Sequence, residues 1–263
     1  MPVTFVSPSS RDRFAIIPRQ VRALCQQVAA FALPTLCALC GNLSQRTLCD
    51  GGDAADGNEA RRLCTVCAIP LAASARRSGQ QRDRYRCGDC ATSPPAFDSA
   101  FALADYRAPL DSLALGLKFR ARLMLAREFG ERLARLAQDS LETGSRPDVI
   151  APVPLARRRL VARGYNQAWE IARPLADALE IRRDATLIRR IIDTAPQSRL
   201  DLDARRDNVG RAFAVAKPVA GLHVGIVDDV MTSGATLEAV ARTLRQAGAR
   251  RVTCFIALRT PKN

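Results

Sequence analysis

The chain has 263 residues, 48% of them hydrophobic, which suits one domain of about 150–200 residues plus a smaller module. Its formal charge of +14 is carried almost wholly by arginine, with lysine only at 118, 217 and 262; such a balance attracts nucleic acid, phosphorylated metabolites or acidic partners, although a GC-rich genome also produces it. Aromatic residues are 5% of the chain and are not interleaved with the arginine runs, against a dedicated platform for stacking single-stranded bases, and no stretch reaches the apolar length of a membrane span.

In chain order, residues 1–12 read as frayed. The apolar stretches at 14–17 and 28–33 are interrupted by Pro18, Arg19 and Arg22, and there is no basic start, apolar core and small-residue cleavage site, so a cytoplasmic protein is expected. Residues 19–33 suit a short amphipathic helix, and 1–33 are assigned as a tail ahead of the first cysteine pair.

Eight of the nine cysteines fall between residues 25 and 90. Cys64-x-x-Cys67 and Cys87-x-x-Cys90, 19 residues apart, have the spacing of a four-thiolate zinc site, in which two residues between ligands let a tight knuckle aim both sulfurs at one tetrahedral ion. In a reducing compartment a metal is favoured over disulfides, and a redox dithiol is disfavoured because none of these pairs sits in a βαβ pattern. Cys37, Cys40 and Cys49 suggest a second zinc site, but position 52, where a fourth thiolate would complete it, is Gly. Asp50, Asp53 or Cys25 could substitute; the favoured expectation is a degenerate site. The Gly-, Asp- and Ala-rich segment 50–62 reads as a flexible loop. Arg76, Arg77, Arg82, Arg84 and Arg86 form either a phosphate-contacting face or a solvated hairpin. Residues 34–95 thus form a double zinc-ribbon-like module. It has too little apolar surface to fold alone, and metal ligation supplies on the order of 10 kcal/mol to such a module.

Ser93-Pro94-Pro95 reads as a linker into a domain at 96–263. A strand is expected at 97–106 and a helix after Pro109, with Leu110, Leu113, Ala114 and Leu117 inward. A longer helix follows at 123–141, with Leu125, Phe129, Leu133 and Leu136 as its apolar positions, and a short strand at 148–153. The segment 155–167 reads as a basic loop at a strand's carboxyl end, either a solvent-facing turn or a clamp for pyrophosphate, since arginine binds phosphate through paired hydrogen bonds. Asn166 is placed to cap a helix over 167–179. Strands at 187–192 and 213–216 flank a loop at 193–200 and a short helix at 202–209, and the last strand is 251–258, with Cys254 as a packing residue. Strands alternating with helices predict an α/β fold with a parallel, doubly wound sheet.

Between these last elements lies Val224-Gly225-Ile226-Val227-Asp228-Asp229-Val230-Met231-Thr232-Ser233-Gly234-Ala235-Thr236-Leu237. An apolar run closed by two carboxylates reads as a strand; a hydroxyl-rich turn and a helix over 235–248 follow, with Leu237, Val240, Ala241 and Leu244 on one face. The first amides of a helix lack intrahelical acceptors and, with the dipole, favour an anion. The hydroxyls of Thr232, Ser233 and Thr236 add donors, and Gly234 lets backbone approach a phosphate closely. Asp228 and Asp229 suit two adjacent sugar hydroxyls. A strand ending in Asp-Asp also serves metal binding in nucleotidases, receiver domains and Walker B sites. His223, the single histidine, receives no catalytic role.

The stretch 224–237 resembles the phosphoribosyl pyrophosphate (PRPP) motif of type I phosphoribosyltransferases. With Cys37-Ala38-Leu39-Cys40, Cys64-x-x-Cys67, Cys87-Gly88-Asp89-Cys90 ahead of Pro94-Pro95-Ala96-Phe97-Asp98, Leu117-Lys118-Phe119-Arg120, Pro152-Val153-Pro154, Arg163-Gly164-Tyr165-Asn166-Gln167, Thr194 with Gln197 and Arg205 with Asn208, the chain resembles the ComF family of competence-associated proteins over about residues 33–260. The resemblance implies a zinc-ribbon module followed by a type I phosphoribosyltransferase-like parallel sheet flanked by helices. It implies PRPP binding by Asp228, Asp229, Thr232, Ser233, Gly234, Ala235 and Thr236. A pyrophosphate loop is implied at Pro152, Val153, Pro154, Arg163, Gly164, Asn166 and Gln167, with Mg²⁺ accompanying PRPP. The implied roles are a phosphoribosyltransferase of unnamed acceptor, acting at C1 of PRPP with loss of pyrophosphate, or a noncatalytic PRPP-responsive accessory protein that binds single-stranded DNA, and DNA-uptake proteins, during internalisation. A third and weaker alternative is a nucleic-acid module using only the zinc ribbon and arginine runs.

Overall fold

A computed structural model describes residues 35–44, 47–49, 62–71, 85–138, 141, 146–192 and 212–261. The expectations for 1–33, for the loop 50–62 apart from its last residue, for Arg76, Arg77, Arg82 and Arg84, and for Thr194, Gln197, Arg205 and Asn208 lie outside them.

Two nine-residue strands make the centre. β8 (His223–Met231) and β9 (Arg251–Arg259) are near-continuous apolar runs, as expected for parallel strands covered on both faces. They pair in parallel, from His223 opposite Arg251 to Met231 opposite Arg259. β3 (Ser99–Asp105) joins β9, β4 (Val149–Pro152) joins β8, and β5 (Arg182–Arg183) joins β4, giving a five-stranded parallel sheet in the order β3-β9-β8-β4-β5.

Strand alternation divides the core. Val224 and Ile226 of β8, Val149 and Ala151 of β4, and Val252 and Cys254 of β9 face one layer; Val227, Ile150 and Phe255 face the other. The first layer contains α6 (Ala235–Gln246), which buries Leu237, Val240, Ala241 and Leu244. The second contains α2 (Asp111–Phe119), α3 (Leu123–Gln138) and α5 (Gln167–Leu179). In α3 the inward stripe is Leu125, Phe129, Leu133 and Ala137; Leu136 turns outward and is 40% exposed, one position off the expected stripe. α3 and α5 touch at Gly130, where a Cβ would lie 2.6 Å from the Ile171 carbonyl oxygen and 2.5 Å from Pro174 Cγ.

Several elements differ from expectation. β8 continues through both aspartates to Met231, because β9 supplies ladder partners to that point. The basic segment is not a loop: it contains the helix α4 (Arg157–Arg163), stopped by Gly164 at φ +77°. The strands β6 (Ile188–Arg190) and β7 (Phe213–Val215) form a separate antiparallel pair rather than joining the parallel sheet. A short helix α1 (Gly88–Thr92) carries Cys90.

The described cysteine-bearing segments pack into the two core layers of the sheet. Cys64, Val66, Cys67, Ala68, Ile69 and Cys90 share the first layer with α6, while Cys37 and Leu48 share the second with α2 and α3. The small strands β1 (Thr35–Leu36) and β2 (Leu43–Ser44) flank Cys37 and Cys40. The two knuckles therefore brace opposite faces of one sheet.

Candidate functional site

The sheet changes direction between β4 and β8. From β4 the chain turns outward to β5 through α5 on one face; from β8 it turns the other way to β9 through α6 on the opposite face. Ligands of open α/β sheets bind at such a switch point, beyond the carboxyl ends of the strands. β4 and β8 pair only as far as Pro152 and Val227, with one last bond from the Val153 amide to the Val227 carbonyl. β8 runs on to Met231 paired with β9 alone. Asp228 and Asp229 thus lie on the part of β8 from which β4 has already departed.

Each aspartate is half-buried and accepts from the amide that follows it: Asp228 Oδ1 from Asp229 N and Asp229 Oδ1 from Val230 N, both at 2.9 Å. Burial, and then the neighbouring Asp229 charge, hold the Asp228 carboxyl well above the ordinary carboxylate range, and Lys118 pulls against them. Lys118 stands in the last turn of α2. It was only one member of a sequence motif; a signal was available, because it is one of three lysines in an arginine-rich chain.

The turn after β8 leads directly into α6. Gly234 sits at its N-cap with φ +84°, a left-handed conformation that other residues adopt only with strain, and no side chain caps the helix from that position. A Cβ there would also come within 2.6 Å of Met231 Cε. Ser233 Oγ lies 3.4 Å from the Ala235 amide, and Thr232 and Ser233 are exposed. A twelve-residue helix, with no side-chain cap from Gly234, thus begins four residues after the end of the strand that carries the two carboxylates, and the first amides of a helix favour an anion.

On the β4 side, Pro152 and Val153 are buried and Pro154 is half-buried. Asn166 donates from Nδ2 to the Val153 carbonyl at 3.0 Å and accepts from the Ala168 amide at 3.0 Å, capping α5 as its position suggests. Gln167 is buried, 3.5 Å from the Lys118 carbonyl oxygen, and the Tyr165 hydroxyl donates to the Leu117 carbonyl. The Arg163 guanidinium lies 5.4 Å from the centre of the exposed Phe119 ring. The end of α2 and the segment 163–167 are thus joined into one wall. Arg157, Arg158 and Arg159 are exposed on α4.

His223, by contrast, is fully buried at the opposite end of β8, with Nε2 2.9 Å from Thr253 Oγ1. Burial, reinforced by Arg251, lowers its pKa to about 4. Cys254 is fully buried too, and burial raises its thiol.

The cysteines form two groups whose sulfurs all lie within 4.8 Å of one another: Cys64, Cys67, Cys87 and Cys90, and Cys37, Cys40 and Cys49. Both could hold zinc structurally. A tetrahedral site with Zn–S bonds of about 2.3 Å needs sulfurs about 3.8 Å apart; Cys67 and Cys87 are at 3.6 Å, and Cys40 and Cys49 at 3.5 Å. The two knuckles are built alike. Cys64 Sγ accepts from the Cys87 amide and Cys37 Sγ from the Cys49 amide, each at 3.3 Å. Ala68 and Gly41, each four residues after the first cysteine, both have positive φ and donate back to that cysteine's carbonyl. Burial raises the Cys37 and Cys64 thiols, but surrounding backbone amides outweigh it and lower them to about 6 and about 7. The repeat of this geometry runs against degeneracy of the first group. Position 52 and the substitutes Asp50, Asp53 and Cys25 lie outside the described residues.

One functional candidate escaped the sequence reading. Arg259, at the end of β9, is 2% exposed and reaches both the cysteine knuckle and the turn between β8 and α6. The available signal was an arginine closing an otherwise apolar strand.

Residues 124–263 match the phosphoribosyl transferase domain. The chain is 35% identical over 204 residues to DNA utilization protein YhgH of Salmonella typhimurium, covering 75% of this chain and 84% of that protein. It is 32% identical over 236 residues to DNA utilization protein YhgH of Escherichia coli K12, covering 87% and 98%, and 31% identical over 171 residues to Competence protein F of Haemophilus influenzae, covering 63% and 75%.

Proposed function

The chain belongs to the ComF family, and on that premise we propose that its switch-point cleft binds PRPP and that it acts as a phosphoribosyltransferase. The observation that carries this reading is the meeting, at one strand end, of two carboxylates and a helix N-terminus opened by a left-handed glycine. The 5-phosphate lies against the amides and hydroxyls of residues 232–236. Asp228 and Asp229 accept from the two ribose hydroxyls. The diphosphate faces Lys118 and the 152–154 and 163–167 segments, where Arg163 is held by Phe119. Carboxylates beside a diphosphate suit Mg²⁺, which when bound would neutralise charge on the departing pyrophosphate. What the protein itself contributes is position and electrostatics: it fixes the sugar by both ends and leaves C1 over the cleft. Both cysteine groups are read as structural zinc sites.

The names of the relatives, DNA utilization protein and Competence protein F, favour a second reading: a noncatalytic protein of DNA internalisation that responds to PRPP and binds single-stranded DNA. Pyrophosphate release from PRPP across a panel of nucleobases separates the two, because only an enzyme releases it.

The cleft itself is tested by calorimetry with PRPP and with inorganic phosphate. Asp229→Asn keeps the side chain's shape but weakens acceptance from a diol. A hydrogen bond to a charged acceptor is worth about 1.5–3 kcal/mol, so PRPP affinity is expected to fall about ten- to a hundredfold while phosphate binds as before. Wild-type PRPP affinity in the variant would remove the ribose assignment.

A further inference from the structure

Arg259 stands between the 64–67 knuckle and the turn that leads into α6. Its Nε donates to the carbonyl of Cys67, the second ligand of the 64–67 knuckle, at 3.3 Å. Its Nη1 donates to the carbonyls of Met231 at 3.1 Å, Thr260 at 2.7 Å and Thr232, the first residue of the phosphate turn. One buried guanidinium is thus shared between the backbone of the cysteine site and the backbone of the turn. A planar fork can hold several carbonyls at fixed angles, which a lysine cannot.

Two further ties run the same way. Glu238, in the first turn of α6, accepts from the Ala96 amide at 2.7 Å, just after the second cysteine pair, while its own amide donates to Gly234 at 2.9 Å. Val66, Ile69, Cys90 and Phe97 share a core with Met231 and Leu237, and Met231 closes over Gly234. Hydrogen bonds, an anchored helix start and apolar packing all connect the knuckle to the turn.

We propose that Arg259 is a positioning residue that couples metal at Cys64, Cys67, Cys87 and Cys90 to phosphate at 232–236, so that each strengthens binding of the other. The proposal rests on the phosphate assignment above. Metal fixes the knuckle, and with it the Cys67 carbonyl; Arg259 is then held in one orientation and holds the Met231 and Thr232 carbonyls in turn. Loss of the metal frees one arm of that clamp. Coupling between binding sites is reciprocal in affinity, so a phosphate ligand must tighten the metal by the same factor; because the clamp opposes opening of the knuckle, the ligand is expected to do so by slowing loss of the metal.

The test uses full-length, zinc-loaded protein and follows transfer of zinc to a colorimetric chelator with and without saturating ribose 5-phosphate. The phase belonging to this knuckle is the one absent from Cys64→Ser. In wild type, ribose 5-phosphate is expected to slow that phase at least about fivefold, the lower end of ordinary coupling between sites. In Arg259→Gln, whose amide is too short to span both segments, the ligand should leave it unchanged. The Cys37 group, on the opposite face of the sheet, serves as an internal control and should not respond. If calorimetry shows ribose 5-phosphate bound while the wild-type release rate is unaltered, the coupling is overturned and the phosphate site stands. If no ribose 5-phosphate binds at all, both fall. Persistence of the slowing in Arg259→Gln would remove Arg259 from the coupling. The wild-type comparison needs no variant, so it decides even if Arg259→Gln does not fold.

Discussion

Asp228 pays in stability for its place in the cleft. Its carboxyl is raised above the ordinary range first by burial and then by Asp229, so the folded chain holds a proton that the unfolded chain releases at about pH 3.9. For a raised carboxylate the unfolded state binds fewer protons once pH passes that value. Stability therefore falls as pH climbs toward the raised folded pKa, and the penalty is fully present above it. Asp228→Asn is expected to raise the melting temperature of the ligand-free protein by a few degrees at pH 8 and to leave it unchanged near pH 3, while weakening PRPP binding. Thermal melts at both pH values, with and without PRPP, check both halves. A uniform gain at every pH would show that packing, not charge, is responsible. The acidic pair, Gly234 and the capping role of Asn166 were readable as residues because each satisfies a local rule. The partners of Lys118 and Arg259 were not, because they lie far away in the chain: Arg259 meets a carbonyl 192 residues earlier.

At the scale of elements, Gly130 decides how closely α3 and α5 approach. Alanine favours a helix over glycine by about 1 kcal/mol. Here the added methyl would stand 2.6 Å from the Ile171 carbonyl oxygen and 2.9 Å from the Leu175 amide nitrogen, and backbone cannot swing aside as a side-chain tip can. Overpacking costs about 1–3 kcal/mol. Gly130→Ala is therefore expected to lower the denaturant midpoint despite its helix propensity; an unchanged or raised midpoint would show that the two helices can separate. The helices with one apolar stripe, α3, α5 and α6, were legible from period alone. α4 was not: its run Arg157-Arg158-Arg159-Leu160-Val161-Ala162-Arg163 buries no residue, so no stripe marks it. β5 is two exposed arginines with no apolar pattern, paired to β4 through the backbone and tied by the Arg183 side chain to Asp177 and the Arg173 carbonyl, and β8 outlasts its apolar run because its partner is equally long.

For the whole molecule, the cysteine-bearing segments are parts of the core rather than an appendage. Cys64→Ser should lower zinc content, and melting should remain a single transition at lower temperature rather than show an early N-terminal one, because Val66 and Ile69 fill the same layer as α6. Two resolved transitions in calorimetry would restore the picture of an independent module. Since both knuckles have the same geometry, Cys37→Ser should lower zinc content comparably in metal analysis. The shared core also has a consequence in time. Protein synthesis is vectorial, and the thiols of residues 37–90 emerge before α6, β9 and Arg259. At about 5–20 residues per second, the 192 residues between Cys67 and Arg259 take roughly 10–40 s to translate. Once Cys90 has been made, and until β9 follows, the knuckle has its ligands but not the wall it rests on. Ribosome-stalled chains ending before β9 should therefore be alkylated at Cys64 and Cys67 faster than released full-length chains, and nascent protein should be most vulnerable to oxidants in the window before its carboxyl terminus is made.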